Sequence, residues 1–344
     1  MKLPKLALAV VFPPALCAAS PARAVEAPTL KGKTVEVLIA FEAGGPYDLY
    51  ARLLARRLGA HLPGAPAVVV RNLPGAGGMV GANYLFNASP RDGTSIGVLS
   101  QTVAIGQALG VAPGLKYDVE KLGWLGRMTS NVELQHSLTR FGFTNFDIAR
   151  QSEVVVAGTG PTSSSVVFPK LLNQVIGTKF KLVTGYPGPR SAELAMERGE
   201  VAAIVKPWSS LKATEADRLK NREITPIMQY TRERWRELPD TPAVVDVARD
   251  AEERELFGLF ASGGALGTSI AAPPGLDADM VEMWRGAVAA TMASPELRAD
   301  AAAANMDLDF LDGAGVAKIA ADTFAISPGA LARARKFAED IARQ

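Results

Sequence analysis

The chain reads as an α/β protein of two domains, and three observations predict this. Its 344 residues exceed the size at which a single hydrophobic core usually stops growing. A composition of 48% hydrophobic and 21% charged residues is that of a folded globular chain. Short apolar runs rich in valine and isoleucine alternate with glycine-rich turns that open into amphipathic segments. Strand, turn and helix repeated in that order build mostly parallel sheets through right-handed crossovers.

The first unit is a strand over Thr34 to Phe41, then the turn Ala43-Gly44-Gly45-Pro46. Leu49, Leu53, Leu54 and Leu58 follow at helical spacing, with Asp48 standing where an N-cap would. The second unit is a strand at 67–71, the turn Asn72 to Gly78 and a helix at 79–88; a third strand, Thr94 to Leu99, runs into Ser100-Gln101-Thr102. Residues 116–128 read as a connection ending in a short strand, and the pattern restarts at Val154 to Ala157. There the polar turn Gly158 to Ser165 opens a helix through Leu172 and Val175. A strand at Phe180 to Val183 feeds the turn Gly185 to Arg190, and Ser191 caps the next helix. Val201 to Val205 reads as a buried strand ending at Lys206-Pro207-Trp208, and Ile224 to Tyr230 as another strand. Prolines at 239 and 242 mark a boundary, 256–265 is apolar with glycines, and a helix holds Met280, Met283 and Trp284. Alanine-rich amphipathic helices at 295–304, 314–326 and 328–342 complete the chain.

Several classes of function are excluded or weakened. Lys2 and Lys5, the apolar run Leu6 to Phe12 and Ala22-Arg23-Ala24 read as an export signal over residues 1–24, cut near Ala24. Its removal takes three cations and no acid from a chain of formal charge +2, leaving −1, so no net field would draw the mature chain to nucleic acid. Cys17, the single cysteine, lies inside that signal, which removes disulfides and thiol chemistry from the mature protein. His61 and His136 have no catalytic partner nearby in sequence, and Glu252, Glu253 and Glu255 with Arg254 read as a solvated helix face. The run Pro74 to Gly78 lacks the Gly-Lys-Ser/Thr ending of a phosphate loop and the spacing of a dinucleotide fingerprint. The chain is therefore expected to be no enzyme and to need no cofactor. A rival reading is an enzyme that holds a phosphorylated or nucleotide-like substrate on its glycine turns.

In open parallel sheets ligands sit beyond the carboxyl ends of the strands, where these turns fall, and helix N-termini there favour anions. The candidate ligand-binding residues of the first half are Phe41, Ala43, Gly44, Gly45 and Asp48, then Pro74, Gly75, Ala76, Gly77 and Gly78, then Ser100, Gln101 and Thr102. Those of the second half are Thr159, Thr162, Ser163, Ser164, Tyr186 and Gly188, with Lys206 as a cation at a strand end and Arg190 more exposed. Asp48 is expected to order its turn rather than touch an anion, since like charges repel. The tryptophans at 124, 208, 235 and 284 read as core or hinge packing.

Taken together, the turn FEAGGPYD, the run VVVRNLPGAGGMVGA, DGTSIGVLSQ, GTGPTSSS, the GYPG turn before LAMERGEV, LPDTPAV and the terminal helix pair resemble the substrate-binding receptors of tripartite tricarboxylate transporters, the Bug or TctC type. The resemblance covers nearly the whole mature chain. It implies a two-lobed, hinged clamshell of the periplasmic-binding-protein kind (type II-like), with 25–128 plus 229–344 as lobe 1 and 129–228 as lobe 2. It also implies a monomer in the periplasm that captures a small carboxylate and delivers it to a membrane permease, or alternatively reports it to a sensor kinase. The family's aspartate near the fourth strand of lobe 2 is Ala202 here, and Glu42 replaces a commoner small residue, which leans the expected ligand toward a plain carboxylate over an amino acid.

Overall fold

The structure is a computed structural model that describes residues 28–110, 114–159, 163–186 and 189–342. The export-signal reading falls outside these residues. In chain order the first half is β1 (Thr34–Ile39), α1 (Pro46–Leu58), β2 (Ala67–Asn72), α2 (Met79–Asn87), β3 (Ser95–Leu99), α3 (Val103–Leu109) and β4 (Gly123–Thr129). The middle is β5 (Glu133–Leu138), α4 (Ile148–Gln151), β6 (Val154–Gly158), α5 (Ser164–Ile176), β7 (Phe180–Thr184), α6 (Pro189–Glu197), β8 (Ala203–Pro207), α7 (Trp208–Thr214), α8 (Ala216–Lys220) and β9 (Ile224–Gln229). The last part is α9 (Ala251–Leu266), β10 (Thr268–Ala272), α10 (Ala278–Ala293), α11 (Pro295–Ala303), β11 (Leu311–Asp312), α12 (Gly313–Asp322) and α13 (Pro328–Ala342).

Two sheets flanked by helices result. The first has the order β11-β4-β10-β3-β1-β2 and the second β7-β6-β8-β5-β9. Both are mixed: β1 pairs parallel with β2 and β3, and β6 with β7 and β8, while β10, β4 and β11 in one sheet and β5 in the other pair antiparallel. The period-two rule explains the layers. Val35, Val37 and Ile39 of β1 face α1, α10 and α11 in one core cluster, which holds Leu54, Trp284 and Leu297; Leu38 between them faces the other cluster with Leu85, Trp124 and Val316. In the second sheet Leu134 and Ile204 pack against Ala192, Met196 and Leu211, whereas Val156, Ala203 and Val205 face Phe168, Leu171 and Leu172 of α5.

Two strands escape the hydropathy reading. In β5 the buried residues include Gln135, His136 and Ser137, and β10 is only Thr-Ser-Ile-Ala-Ala. Part of their polar groups is met inside the sheet: Ser137 Oγ donates to the Ala202 carbonyl at 2.6 Å, and the Tyr230 hydroxyl donates to Gln135 Oε1 at 2.5 Å. The apolar 256–265 stretch is α9, capped by Asp250, whose side chain accepts from the Glu253 amide at 2.8 Å. Glu253 is not on a solvated face as expected. It is 2% exposed and bonded by Arg249. The strand expected at 201–205 lies at 203–207, and the helix expected to start on Ser191 starts at Pro189.

The chain passes between the sheets twice, from β4 to β5 across residues 130–132 and from β9 to β10. Leu256, Phe257 and Leu259 of α9 and Ala334, Phe337 and Ile341 of α13 share the core cluster of the second sheet, while α10, α11 and α12 cover the first. Between the sheets, α9 runs against the 129–131 crossover: the Asn131 amide donates to the Gly264 carbonyl at 2.9 Å. A Cβ on Gly264 would be driven into the Asn131 carbonyl oxygen, and one on Gly267, at φ +54, into that of Thr129.

Overpacking against backbone destabilises by about 1–3 kcal/mol. Gly264→Ala is therefore expected to lower the urea midpoint by that order. Gly286→Ala, inside α10 where a Cβ meets nothing within 4 Å, should raise stability by about 0.5–1 kcal/mol. Equal effects of the two changes would contradict the tight approach at the crossover.

Candidate ligand-binding site

Three turns gather at the carboxyl ends of β1, β2 and β3, and Asp48 ties the first two together. Helix α1 begins with Pro46 after an N-cap at Gly45, so Asp48 is not the N-cap but the third helical residue. Its carboxylate is 2% exposed. It accepts from the Gly44 amide at 2.8 Å, from Arg52 Nε at 2.9 Å and from Asn72 Nδ2 at 2.9 Å. Asn72, at the end of β2, also donates to the Phe41 carbonyl at 2.9 Å and accepts from Arg52 at 3.1 Å. The Arg52 bonds, with those of Gly44 and Asn72, outweigh burial and hold the Asp48 pKa down to about 2. With its oxygens so engaged, Asp48 orders the turn.

The second turn consists of backbone that few side chains allow: Gly75, Ala76, Gly77 and Gly78 all have positive φ. Gly78 is buried where a Cβ would meet Ser100 Cβ at 2.9 Å and the Phe41 ring at 3.2 Å, so the three turns touch through it. Phe41 stacks on Tyr47 with ring centroids 4.2 Å apart. The Tyr47 phenol oxygen accepts the Gln101 amide at 3.0 Å, and burial raises its pKa. Ser100 and Thr102 share a hydroxyl bond of 2.8 Å. The Gly44 amide goes to Asp48, and the Gly78 and Val80 amides go to the Gly75 carbonyl. The amides of Ala43, Gly45, Ala76 and Gly77 meet no acceptor among the described residues.

Opposite stands the end of the second sheet. Ser165 anchors its turn: buried, its Oγ accepts from the Thr159 amide at 3.1 Å and lies 2.8 Å from Ser163 Oγ and 3.2 Å from Thr159 Oγ1. Ser163 is the N-cap of α5 and Ser164 its first residue. Tyr186 is half-buried against Ile204 and Met196. The expectations at Thr162 and Gly188 lie outside the described residues.

Lys206 departs from its expected role. It is 3% exposed on the face of β8 turned to α6, where its ammonium is paired with Glu193 and donates to Thr214 Oγ1 at 2.7 Å. Arg190 is exposed, within ion-pair distance of Glu193 and Glu215. Ala202 sits before β8, its amide bonded to the Val155 carbonyl away from the strand end, so the absent family aspartate says nothing about this cleft.

The residues missed from the sequence are those of the crossover. Asn131 Nδ2 donates to Gln101 Oε1 of the third turn at 3.1 Å and to Glu133 Oε1 at 3.2 Å. Glu133 opens β5 and is partly buried. Desolvation pushes its pKa up to about 7 against the opposing bonds from Ser164 and Asn131; the phenols of Tyr47 and Tyr230 are raised by burial first and by the Glu133 charge second. Tyr230 stacks on Phe168 at 4.0 Å. The alternation Leu134, His136, Leu138 against Glu133, Gln135, Ser137 was the signal that could have found this strand.

Beside the crossover, Arg127 donates to Asp309 Oδ2 and to the Ala265 carbonyl, each at 2.6 Å, and Ser130 Oγ donates to the same Asp309 oxygen at 2.8 Å. Lys212 of α7 bridges Glu237 at 2.9 Å and Asp307 at 3.2 Å. Trp208 and Trp235 line the small cavity of about 70 Å³ between them, whereas Trp124 and Trp284 are core. Among the described residues no group of three or more His, Cys, Asp or Glu could hold a metal ion, and no helix is long and apolar enough to cross a membrane.

The chain matches no family model. It is 27% identical over 248 residues to a UPF0065 protein of Bordetella bronchiseptica, covering 70% of each chain. It is also 35% identical to BugT of Bordetella pertussis over 95 residues, 28% of each. Among solved structures it resembles a TctC solute-binding protein from Polaromonas without ligand at a TM-score of 0.68 and 18% identity, over 91% of this chain and 100% of that one. The periplasmic binding protein BugD follows at 0.57 and 18%, over 89% and 97%. MatC from Rhodopseudomonas palustris with bound malate stands at 0.55 and 19%, over 88% and 98%. The two sheets flanked by helices are thus the two-lobed fold of periplasmic binding proteins.

Because the native Asp48 pKa lies near 2 and its ordinary value is 3.8, its ionised form contributes about 2 kcal/mol of stability above pH 4, lost as the pH falls through about 2. Asp48→Asn should accordingly unfold at lower urea at pH 7, and its deficit should shrink as the pH is lowered from 4 toward 2. A deficit independent of pH would remove the carboxylate from its organising role.

Proposed function

We propose that the protein is an exported, non-enzymatic solute receptor that captures a small carboxylate between its lobes and passes it to a tripartite tricarboxylate-type permease. The observation that carries this reading is the convergence of three turns in the first lobe, where the amides of Ala43, Gly45, Ala76 and Gly77 are left for a ligand beside the N-termini of α1 and α2. Backbone amides in such turns suit an anion without requiring a cation. The malate-bound neighbour shares the fold, which supports a carboxylate as the ligand.

Closure would use the crossovers. Asn131 already links the third turn to Glu133, and Lys212 links α7 to Asp307 and Glu237, so a ligand held by both lobes adds to contacts that span them. Against catalysis, His136 faces the Lys206 side of β5, with its pKa depressed to about 4 by burial, and His61 is exposed beyond α1.

Small carboxylates should raise the thermal midpoint, since a ligand at one hundred times its Kd stabilises the native state by about 2.7 kcal/mol. Gly78→Val, which forces a side chain between Phe41 and Ser100, should weaken calorimetric binding at least tenfold while the circular dichroism stays native. A flat carboxylate screen combined with a shift by nucleotides or sugar phosphates would overturn the reading.

A further inference from the structure

We infer that Glu133 is a specificity-determining residue that selects a ligand carrying one carboxylate and, at its other end, a hydrogen-bond donor, either a hydroxyl or an ammonium, over a plain dicarboxylate. The inference rests on the proposed receptor function and names the chemistry of its ligand.

The two sides of the cleft differ in charge. On the first lobe the groups facing the ligand are amides of the glycine turns, all donors. On the second lobe the crossover brings an acid. Glu133 takes one bond from Asn131 Nδ2 at 3.2 Å and one from the Ser164 hydroxyl, and no cation among the described residues offsets its charge. Two cations that could have done so are engaged elsewhere: Lys206 is paired with Glu193 on the far face of β8, and Arg190 lies near Glu193 and Glu215. The groups around Glu133 from the other packed elements are the phenols of Tyr47 and Tyr230, which bring no positive charge either.

A second ligand carboxylate arriving here would meet a carboxylate at the start of α5, where it would otherwise find the favourable end of the helix dipole. A donor arriving here would instead complete the acceptor capacity of Glu133, as a charge-assisted bond if the donor is an ammonium. Behind Glu133 on the same face of β5, the buried Gln135 Nε2 has no hydrogen-bond partner among the described residues, so the polar lining continues inward without adding a cation. Glu133 thus reverses the lean toward a plain carboxylate that was drawn from Ala202.

The test is calorimetry at pH 7.5 with matched four-carbon probes: succinate, 4-hydroxybutanoate and 4-aminobutanoate, with their three-, five- and six-carbon counterparts to cover cleft length. The wild type should bind the hydroxy or the amino member at least tenfold more tightly than the dicarboxylate of equal length. The arm that wins tells whether the donor is a hydroxyl or an ammonium. Glu133→Gln, which keeps the shape and the bond from Asn131, should abolish the preference by weakening the donor ligand and strengthening the dicarboxylate, each about tenfold. Tighter binding of the dicarboxylate to wild type, or a Glu133→Gln variant with unchanged preference, would overturn the inference while leaving the receptor function intact. Binding of no member of the series would count against both.

Discussion

A buried carboxylate bonded by an amide, a guanidinium and a carboxamide is the constraint on which this cleft depends. Glycine turns are conformationally free, and freedom is the wrong property for a site made of backbone donors. Asp48 removes that freedom from the first turn by holding the Gly44 amide, and through Asn72 it fixes the end of β2 from which the second turn springs. Arg52, one helical turn on, neutralises the charge that burial would otherwise penalise. The remaining amides of the two turns are then held where the sheet edge puts them, which is what the proposed anion site requires.

The third turn is fixed by packing as well as by hydrogen bonds. Gly78 has room for no side chain between Phe41 and Ser100, and the Phe41–Tyr47 stack sets the phenol that receives the Gln101 amide. These contacts are short in space and long in sequence, so the first lobe's half of the site is one cooperative unit. Displacing any one turn by a side-chain insertion disturbs the other two.

Much of this is readable from residue order alone. The strand-turn-helix units, the glycine turns and their place at strand ends follow from periodicity and from backbone rules that do not depend on tertiary context. Asp48 is readable as an organiser but not as an interior one, because capping preference favours the N-cap over the third helical residue. What escapes is everything set by polar burial. Glu133, Gln135 and His136 look polar in a linear reading, yet they belong to a strand paired on both sides by β8 and β9, with Gln135 Oε1 bonded by Tyr230 and Glu133 by Asn131. Lys206 misleads for the same reason in reverse: a cation at a strand end looks available until its buried partner Glu193, thirteen residues earlier, is seen.

The position of Glu133 joins specificity to motion. It is the first residue of β5, immediately after a crossover that α9 presses on through glycine contacts, and its partner Asn131 bonds the third turn of the other lobe. A group that satisfies Glu133 therefore acts on the segment that joins the two sheets, whereas a contact at the tip of either lobe would act only on its own loop. Desolvation of this carboxylate, with no cation beside it among the described residues, disfavours its ionised form and raises its pKa to about 7. If the proposed receptor closes on its ligand, the chemistry of the ligand's second end acts through Glu133, a contact that an anion on the glycine turns alone would not make.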